Sequence, residues 1–287
     1  MKMRAEQTYP ERRNRASMTK DFVRAVKKYP SLVITIGVIL LIAAVFNRFV
    51  PVMAMLIGII NITGGNFFDS ILAVLQMLTD LQNIPLTLLG VAAVAVLVST
   101  AVGLLLPGYL LAASDGLEKG PKKKGLFRKG IRKYFLRFFH MTIRVVLLAV
   151  LLLVFLLVST VPGIVMTRVA LSSSPELLIV AIFIDIVTIA MCFASLSFFS
   201  IYTYMWYLAS LVTDNRPFSL GKQLADRRFW KILTVLLLFD IILAGGFLAI
   251  FMIGSQLIRY AAGWLFGTAF FTALALYLVK FFKDSFN

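Results

Sequence analysis

The sequence predicts an all-α integral membrane protein with six transmembrane helices in three hairpins, and with amphipathic interfacial helices before spans one, three and five. Of its 287 residues, 60% are hydrophobic and only 15% are charged, and the mean hydropathy is +0.93. A soluble core cannot bury that much apolar surface. In addition, 26 of the 29 Lys and Arg residues fall in four segments that flank long apolar runs. Basic residues in short loops stay on the cytoplasmic side during insertion, so we expect a cytoplasmic (inner) membrane protein with both termini in the cytoplasm.

The first hairpin begins after a basic N-terminal segment. Residues 1–17 are predicted to be a disordered arm, and 18–287 a single six-span membrane domain. From Met18 to Tyr29, apolar and basic residues separate onto two faces, which predicts a helix lying on the inner leaflet with its apolar face down. The first thirty residues contain no apolar core, so we expect no cleavable signal peptide. The first span, 31–46, is then its own membrane anchor.

Two further segments separate the first span from the second. Residues 52–62 are apolar but too short to cross and return, so they are predicted to extend the first span or to form a re-entrant piece. Residues 66–82 carry apolar side chains at helical spacing, which predicts an in-plane helix on the outer face or a lid over the bundle.

The remaining spans follow from long apolar runs and their breaks. The second span is predicted to bend at Pro107-Gly108, and the third to end at Pro162-Gly163. The fourth run is too long for a straight crossing, so we expect it to tilt, to kink near Ser195 or to project into the cytoplasm. The predicted spans two to six are 85–113, 143–165, 177–211, 232–253 and 261–279.

Residues 118–144 carry the strongest orientation signal, because they contain ten Lys or Arg and one acid, Glu118. From Phe127 onward the aromatic and basic residues separate onto two faces, which predicts an interfacial helix before the third span. We expect these charges to contact anionic phospholipid headgroups or a cytoplasmic protein partner, although they can also serve only to orient the chain. The predicted contact residues are Lys122, Lys123, Lys124, Arg128, Lys129, Arg132, Lys133, Arg137, Arg227 and Arg228.

The three hairpins share an entry and an exit pattern. Each odd-numbered span follows a basic residue and an aromatic one: Lys28-Tyr29, Arg137-Phe138 and Arg228-Phe229. Each even-numbered span ends on a Tyr-Leu step and an acid. These spacings are consistent with a tripled two-helix unit, or with the basic and aromatic residues expected at any inward end.

This layout, with residues 219–233 (SLGKQLADRRFWKIL) before the fifth span, resembles the six-helix prokaryotic membrane domains fused to glycerophosphodiester phosphodiesterases. The catalytic barrel of that family is a separate soluble domain for which this chain has no room. The resemblance therefore implies an architecture, and it transfers no functional residue.

The sequence contains little that indicates catalysis. It has no phosphate-binding glycine loop, HExxH or GxSxG motif. His140 and Cys192 are its only His and Cys, so we expect neither a metal site nor a cofactor. Because its charge flanks membrane spans, we expect no nucleic-acid binding.

Two intramembrane carboxylates form the candidate polar site. Asp185 and Asp240 each lie about nine residues inside a predicted span, which places both near the middle of the membrane. Such a carboxylate is costly unless it is protonated, paired or facing water. Asp185 and Asp240, with Gln256, Thr188 and Ser195, are therefore either a proton or cation relay, or acids that hydrogen-bond across helices and fix their packing.

These observations favour a non-enzymatic membrane subunit or scaffold whose basic inner face binds anionic lipid or a cytoplasmic partner. The alternative is a small ion- or proton-coupled transporter that uses the two carboxylates. A lipid-processing membrane enzyme is the third possibility.

Overall fold

The computed structural model describes residues 14–49, 84–172, 175–213 and 216–285. The predictions for 52–62 and 66–82, and for the first thirteen residues, lie outside these ranges. The described part is all-helical: a short 3-10 turn, Pro175–Leu177, precedes α5, and the seven α-helices are α1 Asn14–Lys28, α2 Ser31–Phe49, α3 Ile84–Leu117, α4 Leu126–Ser172, α5 Leu178–Ala209, α6 Pro217–Phe251 and α7 Gln256–Lys283.

Five of these helices, α3 to α7, are long and apolar enough to cross a membrane. A sixth is added if α1 and α2, which are bent by 82° at Tyr29-Pro30, count as one broken span. The chain is therefore a multi-pass membrane protein, as its composition predicts. α1 begins at Asn14, four residues before the predicted helix.

The helices pack in an order that repeats three times. Each of α2, α4 and α6 lies between two of the others: α2 between α7 and α3, α4 between α3 and α5, and α6 between α5 and α7. The same burial pattern, at spacing i, i+4, i+7, recurs where the chain enters α2 and the apolar parts of α4 and α6. It comprises Ala25, Tyr29 and Leu32, then Tyr134, Phe138 and Met141, then Ala225, the half-buried Phe229 and Ile232. This recurrence supports the two-helix repeat.

The basic segment before the third span lies on the same helix as that span. α4 runs for 47 residues without a break, so the predicted separate interfacial helix is instead the first third of one long helix. Its apolar side packs on protein, because Gly108 and Gly130 allow α3 and α4 to approach closely. A Cβ on Gly130 would lie 2.8 Å from the Gly108 Cα.

Pro162 does not end α4, contrary to the prediction. The helix continues through Pro162 and Gly163 to Ser172, because neighbouring helices and side chains can satisfy the backbone groups that a proline frees inside a membrane. Likewise α3 continues through Pro107. α6 has a kink at Arg228 (φ −130°, ψ 25°), which separates its basic first part from its apolar span.

Candidate functional site

The basic end of the bundle is the end where α1, residues 118–125, the first part of α6 and the last turn of α7 lie. Helix C-termini in this region are capped by basic side chains from other elements. The Lys28 Nζ donates to the Asp115 carbonyl (2.8 Å), and the Lys283 Nζ donates to the Ser114 carbonyl (2.7 Å). The last carbonyls of a helix carry a partial negative charge, so these ammonium groups stabilise the end of α3.

Arg137 caps α5 in the same way. Its Nη1 donates to the Ser210 carbonyl (2.8 Å) and to the Thr213 carbonyl (3.3 Å). Arg228, the equivalent residue of the third hairpin, instead stacks over the ring of Phe281 at 5.7 Å. The three basic residues of the predicted repeat therefore each contact the end of an even-numbered span. In this fold these three basic residues mainly make contacts inside the protein.

Asp115 is the centre of the basic end. Its side chain is only 7% exposed, and it forms ion pairs with Lys28 (2.8 Å) and Lys123 (3.0 Å). The Tyr29 hydroxyl donates to the same carboxylate at 2.7 Å and accepts from the Lys123 backbone N–H at 3.0 Å. Burial and the hydrogen bond with Asp115 raise the pKa of the Tyr29 phenol, so it stays protonated as a donor. Asp115 thus joins α1, α3 and the loop after α3.

Two more acids tie α1 and α3 to α7. Asp21 pairs with Lys280 (2.7 Å) and with Arg24 (3.2 Å). Glu118 pairs with Lys283 at 2.6 Å, but this pair is more exposed than the one at Asp115. These three acids, which lie in α1 and at the end of α3, all have basic partners. Asp226, which accepts from the Tyr202 hydroxyl, and Asp284 also lie at this end, but the basic residues there outnumber the acids and leave an excess of positive charge.

Four of the remaining basic residues form one exposed strip of α4, here called the α4 basic face: Arg128, Lys129, Arg132 and Lys133. All four residues are exposed, and none forms an ion pair with an acid among the described residues. Lys133 lies over the ring of Tyr134 at 5.0 Å. The other side of the same helix is the one that packs on α3.

Some of the neighbouring predicted contact residues are exposed, and others make contacts inside the protein. Lys122 is exposed and lies over the Tyr29 ring at 5.5 Å, whereas Lys123 is held by Asp115, which raises the pKa of its ammonium. Lys124 and Arg227 are exposed. The structure therefore gathers Lys122, Lys124, Arg227 and the α4 basic face at one end, and it uses Lys123, Arg137 and Arg228 for internal contacts.

Asp185 lies towards the opposite end of the bundle and has a partner on another helix. The Thr167 Oγ1 of α4 donates to its Oδ2 at 2.7 Å. Gly163 makes room for this contact, because a Cβ there would lie 2.6 Å from the Asp185 Oδ1 and 3.5 Å from the Thr188 Oγ1. Asp185 therefore hydrogen-bonds across helices, as the packing interpretation of this residue expects.

Asp240 does not share that site. It is exposed on α6 and interacts electrostatically with Tyr204 of α5. Tyr204 lies nineteen residues along α5 from Asp185, about 28 Å at 1.5 Å per residue. Gln256 is exposed at the start of α7, and Ser195 is half-buried within α5. Of the five predicted polar-site residues, the structure brings together only Asp185 and Thr188.

Sequence reasoning missed the Asp115 cluster, although a signal for it is present. An acid at a helix C-terminus lies at the unfavourable end of the helix dipole, so it requires cations nearby. Asp115 ends α3 and precedes a run of lysines. That combination predicts an ion pair, but not which helix supplies Lys28 and Tyr29.

In the part of the chain that the structure describes, the basic end therefore combines exposed basic side chains that have no acidic partner with the buried carboxylate of Asp115. Among the described residues, no group of three His, Cys, Asp or Glu side chains is placed to hold a metal ion. Comparison with protein-family models, with curated proteins and with solved structures gave no match to this chain.

Proposed function

We propose that this protein is a non-enzymatic component of the cytoplasmic membrane, with both termini in the cytoplasm, that binds anionic phospholipid headgroups through the α4 basic face. The observation that carries the proposal is the contrast in pairing at the basic end. Lys28, Arg137 and Lys283 reach backbone carbonyls or acids, whereas Arg128, Lys129, Arg132 and Lys133 remain exposed without an acidic partner among the described residues.

Lipid is the preferred ligand because of where this surface lies. The four residues belong to the same helix that enters the apolar bundle, so they lie close to the headgroup level of the inner leaflet. A basic residue near an anionic membrane surface contributes about 1 kcal/mol of attraction. Four such residues on adjacent turns attract anionic headgroups strongly, and a cytoplasmic protein partner is the competing ligand.

Native mass spectrometry of the detergent-solubilised protein tests this proposal. Bound lipids are counted during titration with phosphatidylglycerol and with phosphatidylcholine. The preference for phosphatidylglycerol is expected to fall at least tenfold in the variant R128Q/K129Q/R132Q/K133Q; about 1 kcal/mol per residue sets an upper limit of roughly a thousandfold.

The matched control is R128K/K129R/R132K/K133R, which keeps all four charges and is expected to keep the preference. Equal lipid selectivity in the wild type and the glutamine variant contradicts the proposal. Retention of a cytoplasmic protein by the wild type alone, without lipid selectivity, assigns the surface to a protein partner instead.

The orientation is tested separately by labelling. Lys124→Cys places a thiol in the exposed loop after α3, and Cys192→Ser removes the native one. Membrane-impermeant maleimide is expected to label Lys124→Cys in inverted vesicles and not in intact cells. Labelling in intact cells contradicts the proposed topology, and the α4 basic face then does not face the lipids of the inner leaflet.

A further inference from the structure

The centre of the bundle contains an apolar cavity between α2, α3, α5 and α7. Its volume is about 550 Å³, and no charged side chain lines it among the described residues. The walls are mostly aliphatic or aromatic, with hydroxyls from Tyr109 and Thr203 among the exceptions. A site of this size, apolar with a few hydroxyl groups, has the composition of a small-molecule site.

Two hydroxyl groups in the wall are buried without a partner. Tyr109 is 3% exposed, and its hydroxyl forms no hydrogen bond of normal geometry with the described residues, although Thr272 lies near it. The Thr203 Oγ1 is also buried and unpaired among them. Both oxygens have almost no accessible surface, so they lie behind the wall, and the cavity offers a ligand an almost entirely apolar surface.

The cavity begins near the basic end and extends into the apolar part of the bundle. Leu208, one of its lining residues, is one position before the last residue of α5. Along α3 the lining runs from Ala101 to Leu110, about 13 Å at 1.5 Å per residue. The lining residues nearest the basic end, such as Tyr109 and Leu208, are buried, whereas Ile39 and Ala101 are exposed, so the cavity opens sideways into the apolar part of the bilayer. The chain of a lipid beside the bundle can enter there while its headgroup stays at the level of the basic end.

We propose that this cavity binds an acyl chain of an anionic phospholipid whose headgroup lies at the basic end. Apolar cavities stay dry and bind apolar molecules, and within a bilayer the abundant apolar group is the lipid chain. The apolar chain fills the cavity, and the phosphate faces the cations of the basic end. The choice of an anionic headgroup rests on the proposed function above, whereas the site for the chain rests on the cavity itself.

Photo-crosslinking tests the site. The protein is reconstituted with phosphatidylglycerol that carries a diazirine in one acyl chain, irradiated, and digested for mass spectrometry. Adducts are expected on the cavity-lining parts of α3 and α7, at 101–110 and 271–278. Ala275→Phe, which fills the cavity from α7, is expected to reduce these adducts at least tenfold.

Matched variants separate the cavity from the general lipid surface. Ala93→Phe adds the same side chain at an exposed position of α3 outside the cavity and is expected to leave the adducts unchanged. Ala101→Phe blocks the cavity from a second helix, in case Ala275→Phe does not fold. Tyr109→Phe is expected to leave the adducts unchanged, because the Tyr109 hydroxyl has almost no surface that a ligand in the cavity can reach.

Adducts confined to exposed positions such as Leu97, or equal yields in wild type and both blocking variants, overturn the inference. Equal cavity adducts from a photo-reactive phosphatidylcholine overturn the choice of an anionic lipid. If the α4 glutamine variant keeps its lipid preference while Ala275→Phe loses the adducts, the proposed function fails and the chain site stands. If the α4 glutamine variant loses its lipid preference while Ala275→Phe keeps the adducts, the cavity site fails and the proposed function stands.

Discussion

The two sides of the first part of α4 differ in what they contact, although both lie within the same few turns. One side packs on α3 through Gly130 and supplies Arg137 to cap α5. The other presents Arg128, Lys129, Arg132 and Lys133 without acidic partners among the described residues. Basic residues at this end of the bundle therefore have two separate roles. Some hold helices together, and others create a surface potential.

The largest effect is expected where a paired charge is buried. Asp115→Ala leaves the Lys28 ammonium, whose side chain is 10% exposed, without its carboxylate. Removing one partner of a buried ion pair costs about 3–5 kcal/mol. The free energy of unfolding, measured by SDS titration from mixed micelles, is expected to fall by that amount.

Glu118→Ala is the control, because the Glu118–Lys283 pair is more exposed and is expected to contribute no more than about 1 kcal/mol. If both variants lose the same stability, the Asp115 cluster is not the structural centre of this end.

The next effect concerns the packed side of α4. In Gly130→Ala the new Cβ meets the Gly108 Cα at 2.8 Å and the Pro107 carbonyl at 2.9 Å, so the two helices must separate. Overpacking of this kind costs about 1–3 kcal/mol. Gly245→Ala, where nothing lies within 4 Å of the new Cβ, is expected to show no such loss in the same titration. A stable Gly130→Ala protein would mean that α3 and α4 cross less closely.

A smaller loss is expected for the cap on α5. Arg137→Gln removes the charge-assisted hydrogen bonds to the Ser210 and Thr213 carbonyls and is expected to cost about 1–2 kcal/mol. Arg132→Gln, one turn earlier and exposed, is expected to change unfolding by less than about 0.5 kcal/mol. Indistinguishable values for the two arginines would remove the distinction between capping and surface charges.

The smallest expected effect is a gain in stability instead of a loss. Arg128 and Arg132, and Lys129 and Lys133, are like charges four residues apart, and each such pair destabilises a helix by about 0.2–0.5 kcal/mol. The α4 glutamine variant is therefore expected to be slightly more stable than the wild type at low salt. Because salt screens exposed charges, the gain is expected to disappear at 1 M salt. A loss of stability in this variant would show that the α4 basic face has structural partners.

Much of the fold could be predicted, because the membrane imposes regular lengths on apolar runs. The predicted first span, 31–46, is helical in α2 (Ser31–Phe49), and the sixth, 261–279, lies within α7. The predicted fifth span, 232–253, covers only the second part of α6, which begins at Pro217. Hydropathy locates such runs because a helix must satisfy its own backbone groups in lipid.

Helix ends and tertiary partners were less predictable. Pro162-Gly163 indicates a helix end in isolation, yet α4 continues to Ser172, and Gly163 lies against Asp185 of α5. The amphipathic pattern from Phe127 to His140 was interpreted as a surface helix, since an apolar face that packs on protein has the same periodicity as one that packs on lipid. Similarly, Asp185 and Asp240 have similar predicted depths, and only the packing of α5 and α6 separates them.

The unbroken course of α4 has a mechanical consequence. With 47 residues the helix is about 70 Å long, more than twice the roughly 30 Å of membrane hydrocarbon. Arg128 and Thr167 therefore belong to one stiff rod, with about 58 Å between them. A change in the tilt of α4 would therefore move Arg128 and the Thr167–Asp185 contact together, since both belong to one unbroken helix.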